Sequence, residues 1–289
     1  MSGEMTPQSN RPSQWQGRPI YGYDLPAVQN SYIGREVASM ADFYLPHLRS
    51  GMSLLDCGCG PGALTLGLAE AIAPGQVTGI DLEPRMIERA IKAATERQVD
   101  NVRFQVANIS GLPFADRSFD AVFTSAVLEH LSDPGQALQE LYRVLKPGGL
   151  VGIIHTDWGT PLISPPDDSV SQFFTLFERG FNHHGGSLHR GRHLRGMMRQ
   201  VGFIVTDFSA TYTNATTPEA IQRSVGRYVD WIDHLPLFDE AIELGWVDRG
   251  TLERIGAQMK RWSEHPDAFL ALGRCKALGR KAATDEAPV

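Results

Sequence analysis

The sequence predicts an α/β fold, in which helices flank a mostly parallel sheet. Two observations lead to this prediction. Short apolar segments alternate with helical patterns from about residue 50 onward, as they do in chains built from strand–helix–strand units. A glycine-rich turn at 58–62 joins the first apolar strand to the next helical pattern. With 289 residues, 42% of them hydrophobic, the chain is long enough to bury a large core.

The first strand ends at Asp56, and the turn after it has the spacing G-x-G-x-G, formed by Gly58, Gly60 and Gly62. Glycine permits a positive φ and leaves no Cβ between the backbone and a ligand, and the next helix begins with unpaired N–H groups. Dinucleotide-binding turns have the spacing G-x-G-x-x-G and bind a pyrophosphate. A carboxylate at Asp56 opposes a pyrophosphate and favours a cationic group. The alternative is a glycine turn without a ligand.

Residues 76–81 predict the second strand, which ends in Asp81. An acid at the end of this strand is placed to accept hydrogen bonds from ribose hydroxyls, and Leu82 beside it is placed to pack on a base. The alternative is that Asp81 caps the helix predicted to begin near Pro84. The next strands are predicted at 102–107, 119–124, 150–154, 202–210 and 268–278, with a proline-rich loop at 160–168 and a helical pattern at 28–48.

Between residues 54 and 154 the sequence resembles the class I S-adenosylmethionine-dependent methyltransferases, in particular the ubiquinone-methyltransferase-like branch. The resemblance rests on the acid and glycines of 56–62, on Asp81, and on the string Lys146-Pro147-Gly148-Gly149. It implies a Rossmann-like, seven-stranded sheet with an antiparallel last strand, and a helical cap inserted between strands 6 and 7.

The same resemblance implies S-adenosyl-L-methionine as the cofactor, whose methionine part carries an ammonium and a sulfonium. Asn108 stands where the family usually has an acid, although an amide oxygen still accepts a hydrogen bond. The implied cofactor contacts are Asp56, Gly58, Gly60, Gly62, Asp81, Leu82, Asn108, Ile109 and Ser125.

Two histidines are the candidate general bases, because an imidazole titrates near neutral pH. His130 follows the fourth strand and His155 ends the fifth, so we expect both to face the reacting group and expect neither to be needed for cofactor affinity. The alternative for His130 is a hydrogen bond to a backbone carbonyl. Candidate contacts to the acceptor are Trp158 and Asp157, beyond the fifth strand, and Tyr32.

The resemblance implies methyl transfer to a small-molecule acceptor, such as a secondary metabolite or a quinone-like compound. Under a second hypothesis, the protein binds the same cofactor but catalyses a non-methylating reaction such as a cyclisation. We expect residues 1–27 to form a mobile segment or lid and 28–289 to form the methyltransferase domain, with a cofactor-binding core at about 50–155 and a cap at about 211–267.

The composition of the chain argues against several classes of binding partner. A formal charge of −6 argues against binding duplex nucleic acid, and no apolar run is long enough to span a membrane. With three cysteines and no matching second pair for Cys57 and Cys59, we expect no metal site and a cytoplasmic location. A monomer and a homodimer both remain open.

Overall fold

The computed structural model describes Val28 and residues 36–283. The predicted N-terminal lid at 1–27 and the candidate acceptor contact Tyr32 therefore lie outside the described residues. Within the described part, no helix combines the length and the apolar character that crossing a membrane requires.

The described residues form a seven-stranded sheet. Its strands are β1 (Ser53–Cys57), β2 (Gln76–Asp81), β3 (Val102–Val106), β4 (Phe119–Ser125), β5 (Leu145–Ser164), β6 (Ile204–Ala215) and β7 (Phe269–Arg280). The strand order is β3-β2-β1-β4-β5-β7-β6, and the five strands β1 to β5 are parallel to one another. β7 is antiparallel to both β5 and β6. The predicted seven-stranded, mostly parallel sheet with an antiparallel last strand is confirmed.

Helices flank this sheet. Their bounds are α1 (Val37–Met40), α2 (Ala63–Ile72), α3 (Pro84–Arg97), α4 (Pro134–Val144), α5 (Asp168–His183), α6 (Arg190–Val201), α7 (Pro218–His234), α8 (Pro236–Glu243) and α9 (Arg249–Ser263). Proline begins α3 and α4, where its missing N–H costs nothing, and the side chain of the preceding Glu83 or Asp133 accepts a backbone hydrogen bond from the first turn.

Three clusters of buried hydrophobic residues hold the elements together. Adjacent residues of β1 face opposite sides of the sheet, so Leu54 packs toward α2 and Leu55 packs toward α4 and α6. The third cluster joins α7, α8 and α9 to α5 and to the start of β7; its aromatic members include Phe173, Trp231 and Phe238. Helix α5 thus packs with the segment predicted as the cap, although it precedes β6 in the chain.

Two predicted elements differ from the structure. The loop predicted at 160–168 begins inside a strand, because β5 continues to Ser164 by pairing with the first residues of β7. The helical pattern predicted at 28–48 is interrupted in its described part. α1 ends at Met40 and a separate 3-10 turn covers Leu45–His47, where Pro46 lacks the N–H that a continuing helix needs.

The order of the strands places a crevice at the carboxyl end of β1. The chain proceeds from β1 to β2 on one side and returns to β4 on the other side, so the connections after β1 and β4 separate at this edge. Open α/β sheets bind their ligands at such a switch point. The sheet therefore predicts where the functional site lies.

Candidate active site

A cavity of about 930 Å³ occupies this edge of the sheet. The turns after β1, β2 and β4 line one end of it, and α7, β6 and β7 line the other. Seven predicted cofactor contacts line the first end, namely Asp56, Gly58, Gly60, Asp81, Leu82, Asn108 and Ile109, and Ser125 also lines the cavity. Gly62, the remaining one, caps the start of α2.

The turn after β1 depends on its glycines. Gly58, Gly60 and Gly62 have φ values of +73°, +53° and +85°, in the region that side chains disfavour. A Cβ added at Gly58 would overlap Val127 Cγ2, in the segment that follows β4. The turn is therefore packed closely against its neighbour as well as wound in the left-handed region.

Asp56 is buried at the end of β1 and lines the cavity. Thr65, in the first turn of α2, donates a hydrogen bond of 2.7 Å to its Oδ2. Burial raises the pKa of Asp56 to about 7; the Thr65 hydrogen bond opposes this effect, and the charge of Asp81 adds to it. A desolvated carboxylate is thus held at the cavity wall, where a cation would favour its ionised form.

Asp81 connects the turns after β1 and β2. Its Oδ2 accepts a hydrogen bond of 2.9 Å from the Gly60 N–H, and its Oδ1 accepts one of 3.0 Å from the Glu83 N–H. Burial raises its pKa, while these backbone hydrogen bonds lower it in part. The N-cap of α3 is Glu83, so Asp81 does not cap this helix. Its carboxylate instead connects two turns and lines the cavity.

The other predicted contacts present both apolar and polar groups. Leu82 lines the cavity and is 68% exposed, so its apolar side chain is accessible to a ligand. Asn108 Oδ1 accepts a hydrogen bond of 2.9 Å from the Ser110 N–H. Ser125 Oγ is buried and has no hydrogen-bond partner among the described residues. An unsatisfied hydroxyl at a cavity wall is a position for a polar ligand atom.

The acceptor candidates on β5 divide between the two faces of the strand. Ile154, Thr156 and Trp158 line the cavity, whereas His155 and Asp157 do not. Alternate residues of a strand face opposite sides, so of the β5 candidates only Trp158 lines the cavity, while the candidate base His155 and the candidate acceptor contact Asp157 lie on the other face.

Asp157 is directed toward α6. Arg192 of that helix donates two hydrogen bonds to it, of 2.6 Å and 2.7 Å. Burial raises the pKa of Asp157, but the hydrogen bonds and charge of Arg192 outweigh burial and lower it overall. Asp157 therefore ties β5 to α6.

The two candidate histidines meet at a carboxylate that the sequence analysis missed. Glu129 lies in the 3-10 turn after β4 and lines the cavity. Its Oε2 lies 2.8 Å from Nδ1 of the fully buried His155, and its Oε1 lies 3.8 Å from Nε2 of His130, which also lines the cavity. An acid directly before a candidate base was the signal available in the sequence.

The environment of Glu129 keeps it ionised. Burial raises its pKa, but the hydrogen bond and charge of His155 and the charges of His130 and Arg274 together outweigh burial and lower it. A negative charge therefore stays beside His130 near neutral pH.

The far end of the cavity comes from residues that sequence reasoning did not select. Trp231 and Arg227 come from α7, while Leu272, Arg274 and Lys276 come from β7. No motif marks these residues, and only the folded chain brings them into the same cavity as the glycine turn.

Comparison with known proteins identifies the family. A family model described as a methyltransferase domain matches residues 55–153. The demethylmenaquinone methyltransferase of Lactiplantibacillus plantarum is 36% identical over 171 residues, which cover 54% of this chain and 72% of that protein. An uncharacterized 37.1 kDa protein in a transposon of Streptomyces fradiae is 34% identical over 208 residues, or 65% of this chain. The match spans 58% of that relative's length.

A solved structure shows the same fold with the cofactor. It is the complex of Haemonchus contortus phosphoethanolamine N-methyltransferase 2 with S-adenosyl-L-methionine. The two structures match with a TM-score of 0.54 and 19% sequence identity, and the match covers 85% of this chain and 52% of the Haemonchus chain. The lining of the cavity suits such a molecule. It includes the carboxylates of Asp56 and Asp81 and the Ser125 hydroxyl, which has no hydrogen-bond partner in the described part of the chain. The chain therefore belongs to the S-adenosylmethionine-dependent methyltransferases, with S-adenosyl-L-methionine as its cofactor.

Proposed function

We propose that this enzyme methylates a small aromatic acceptor, of the secondary-metabolite or quinone-like kind, with His130 as the general base. The observation that carries the proposal is one continuous cavity with two chemically different ends. The glycine-turn end is acidic, with Asp56 and Asp81 in its lining. The other end is lined by Trp158, Trp231, Leu131 and Leu272, which suit a flat, apolar molecule.

The glycine-turn end would hold the cofactor. When bound, S-adenosyl-L-methionine supplies a methyl group activated on a sulfonium. Asp56 would offset positive charge, and the glycine turn would let the backbone approach the methionine part. Asp81 would accept hydrogen bonds from the ribose, while Leu82 and Ile109 would pack on the adenine and Asn108 would accept from its amino group. Ser125 Oγ would take up the hydrogen bond that it lacks.

The other end would orient the acceptor. Trp158 contacts the rings of Phe177 and Trp231, at centroid separations of 5.4 Å and 6.0 Å, and this packing fixes its own ring against the cavity. A rigid wall that holds the acceptor in line with the methyl group lowers the barrier by positioning, and it also excludes water.

His130 would take the acceptor's proton. The ionised Glu129 beside it stabilises the imidazolium that forms, and His155 fixes Glu129 through the 2.8 Å hydrogen bond. The fully buried His155 therefore acts as a positioning residue in this proposal, in place of the base first expected. An acceptor with an easily lost proton, such as a phenol, matches this arrangement.

Incubation with S-adenosyl-L-methionine and a panel of naphthols, catechols and hydroquinones tests the proposal. We expect one methylated product, formed in equal amount with S-adenosylhomocysteine and identified by mass spectrometry. Conversion of an acceptor without methylation and without S-adenosylhomocysteine would favour the cyclisation hypothesis instead. The absence of a methylated product across this panel would refute methyl transfer to this class.

The raised pKa of Asp56 predicts that cofactor affinity depends on pH. At a pKa of about 7 the free protein holds Asp56 largely protonated in mild acid. A cation prefers the ionised carboxylate, so binding below this pKa must first remove the proton. Affinity for S-adenosyl-L-methionine should therefore rise with pH, by up to about tenfold per unit below neutrality, and level off above it. Calorimetric titration across this range measures the effect.

The control for this prediction is Asp56→Asn, which cannot ionise and leaves an amide of the same size beside Thr65. Its affinity should be weaker and independent of pH through the same range. A native protein that binds equally well in mild acid and above neutrality would contradict the role assigned to Asp56.

A further inference from the structure

The cavity lining carries charged groups of both signs. Asp56 and Asp81 lie at the cofactor end. At the acceptor end the lining includes three basic residues, Arg227, Arg274 and Lys276, and they come from α7 and β7. The cofactor's positive charge accounts for the acidic end, whereas nothing in methyl transfer to a neutral acceptor accounts for the basic end.

Two of the basic residues have acidic neighbours. Lys276 Nζ lies 2.8 Å and 2.9 Å from the two carboxylate oxygens of Asp42. Arg274 donates a 3.1 Å hydrogen bond to Thr213 Oγ1, and its charge helps to stabilise the ionised Glu129. If Lys276 is set against Asp42 and Arg274 against Glu129, one positive charge remains at the acceptor end.

The remaining charge is on Arg227. No carboxylate of the described residues forms an ion pair with it, and its Nε is buried without a hydrogen-bond partner. Its guanidinium lies over two aromatic rings, 5.4 Å from the ring centre of Tyr228 and 5.8 Å from that of Trp231. The Tyr228 phenol does not supply a counter-charge, because burial raises its pKa and keeps it neutral.

A half-buried guanidinium without a counter-charge is unfavourable, because desolvation is not repaid by an ion pair. Its planar fork matches a carboxylate, which accepts two parallel N–H hydrogen bonds. The aromatic rings beside it would hold the apolar part of the same ligand. One excess positive charge suits a monoanion better than a dianionic phosphate.

We propose that the acceptor is an aromatic carboxylic acid whose carboxylate binds Arg227 at the end of the cavity between α7 and β7. The proposal rests on the proposed function, since it names the class of molecule that the methyl-transfer site receives. It places the acid group beside α7 and directs the rest of the acceptor past Trp158 toward His130.

The test compares 2-naphthoate, neutral 2-naphthamide and 2-naphthyl phosphate by calorimetric titration of the enzyme saturated with S-adenosylhomocysteine. We expect the naphthoate to bind at least about tenfold more tightly than the amide, as a hydrogen-bonded charge pair predicts. Arg227→Gln should remove this preference and Arg227→Lys should keep part of it. Arg223→Gln, a change at an exposed position of α7, is the matched control and should leave it intact.

Equal affinity for the naphthoate and the amide in the native enzyme would overturn the proposal, and so would tighter binding of the naphthyl phosphate. A preference that survives in Arg227→Gln, with S-adenosylhomocysteine affinity unchanged, would also overturn the role of Arg227. Because these titrations need no turnover, they are independent of methyl transfer. If neutral naphthols are methylated and the enzyme does not prefer naphthoate, only the proposal of a carboxylic acid acceptor is refuted. If the enzyme prefers naphthoate to the amide but forms no methylated product, only the proposed function is refuted.

Discussion

Replacing Gly58 with alanine is expected to weaken the binding of S-adenosylhomocysteine by at least about 100-fold. Gly58 has a φ of +73°, which an L side chain adopts only with strain, and its added Cβ would overlap Val127 Cγ2. Val127 is β-branched and cannot rotate away freely. The turn must therefore move, and the part of the cavity wall that it forms moves with it.

Calorimetry on the purified variant measures this loss. The matched control is Gly196→Ala in α6, where an added Cβ meets no atom within 4 Å. This control should bind like the native protein, since alanine also favours a helix. Thermal unfolding of both variants separates a displaced turn from an unfolded domain. Affinity within about threefold of native for a folded Gly58→Ala would show that the turn does not hold the cofactor.

The cofactor end of the site was predictable from the sequence because the motifs that mark it are local. The glycine spacing, the acid before it and the acid at the end of the next strand all lie within 54–82. Each occupies a turn at the end of a parallel strand, and such turns meet at one edge of a sheet whatever the rest of the chain does. The bounds predicted for β2 agree with the structure for the same reason.

The acceptor end of the site was not predictable in this way. Arg227 and Trp231 reach the cavity through the packing of α7 on α5 and β7, a tertiary arrangement without a motif. A simpler rule decides which residues of β5 line the cavity. Once Trp158 is placed in the cavity, the two-residue period of a strand places Thr156 beside it and turns His155 and Asp157 away. The end of the strand can be located from the sequence, and this period then separates the residues of its two faces.

Replacing His130 with alanine is expected to lower kcat by about 10²–10⁴-fold and to leave the affinity for S-adenosylhomocysteine unchanged. His130 lines the cavity beside the ionised Glu129, while the cofactor contacts lie in other turns. Single-turnover kinetics with the acceptor found by the panel measures the effect. The matched control is His193→Ala on the exposed face of α6, which should turn over like the native enzyme.

Added imidazole distinguishes a base from a structural residue. In His130→Ala the vacated space opens on the cavity, so free imidazole should enter it and restore part of the turnover. His155 is fully buried and does not line the cavity, so imidazole should not rescue His155→Ala, whose defect would come from the displaced Glu129. Equal rescue of both variants would make the two histidines equivalent. Native turnover in His130→Ala would instead mean that positioning alone drives the reaction, as an acceptor already ionised by its own acidity would permit.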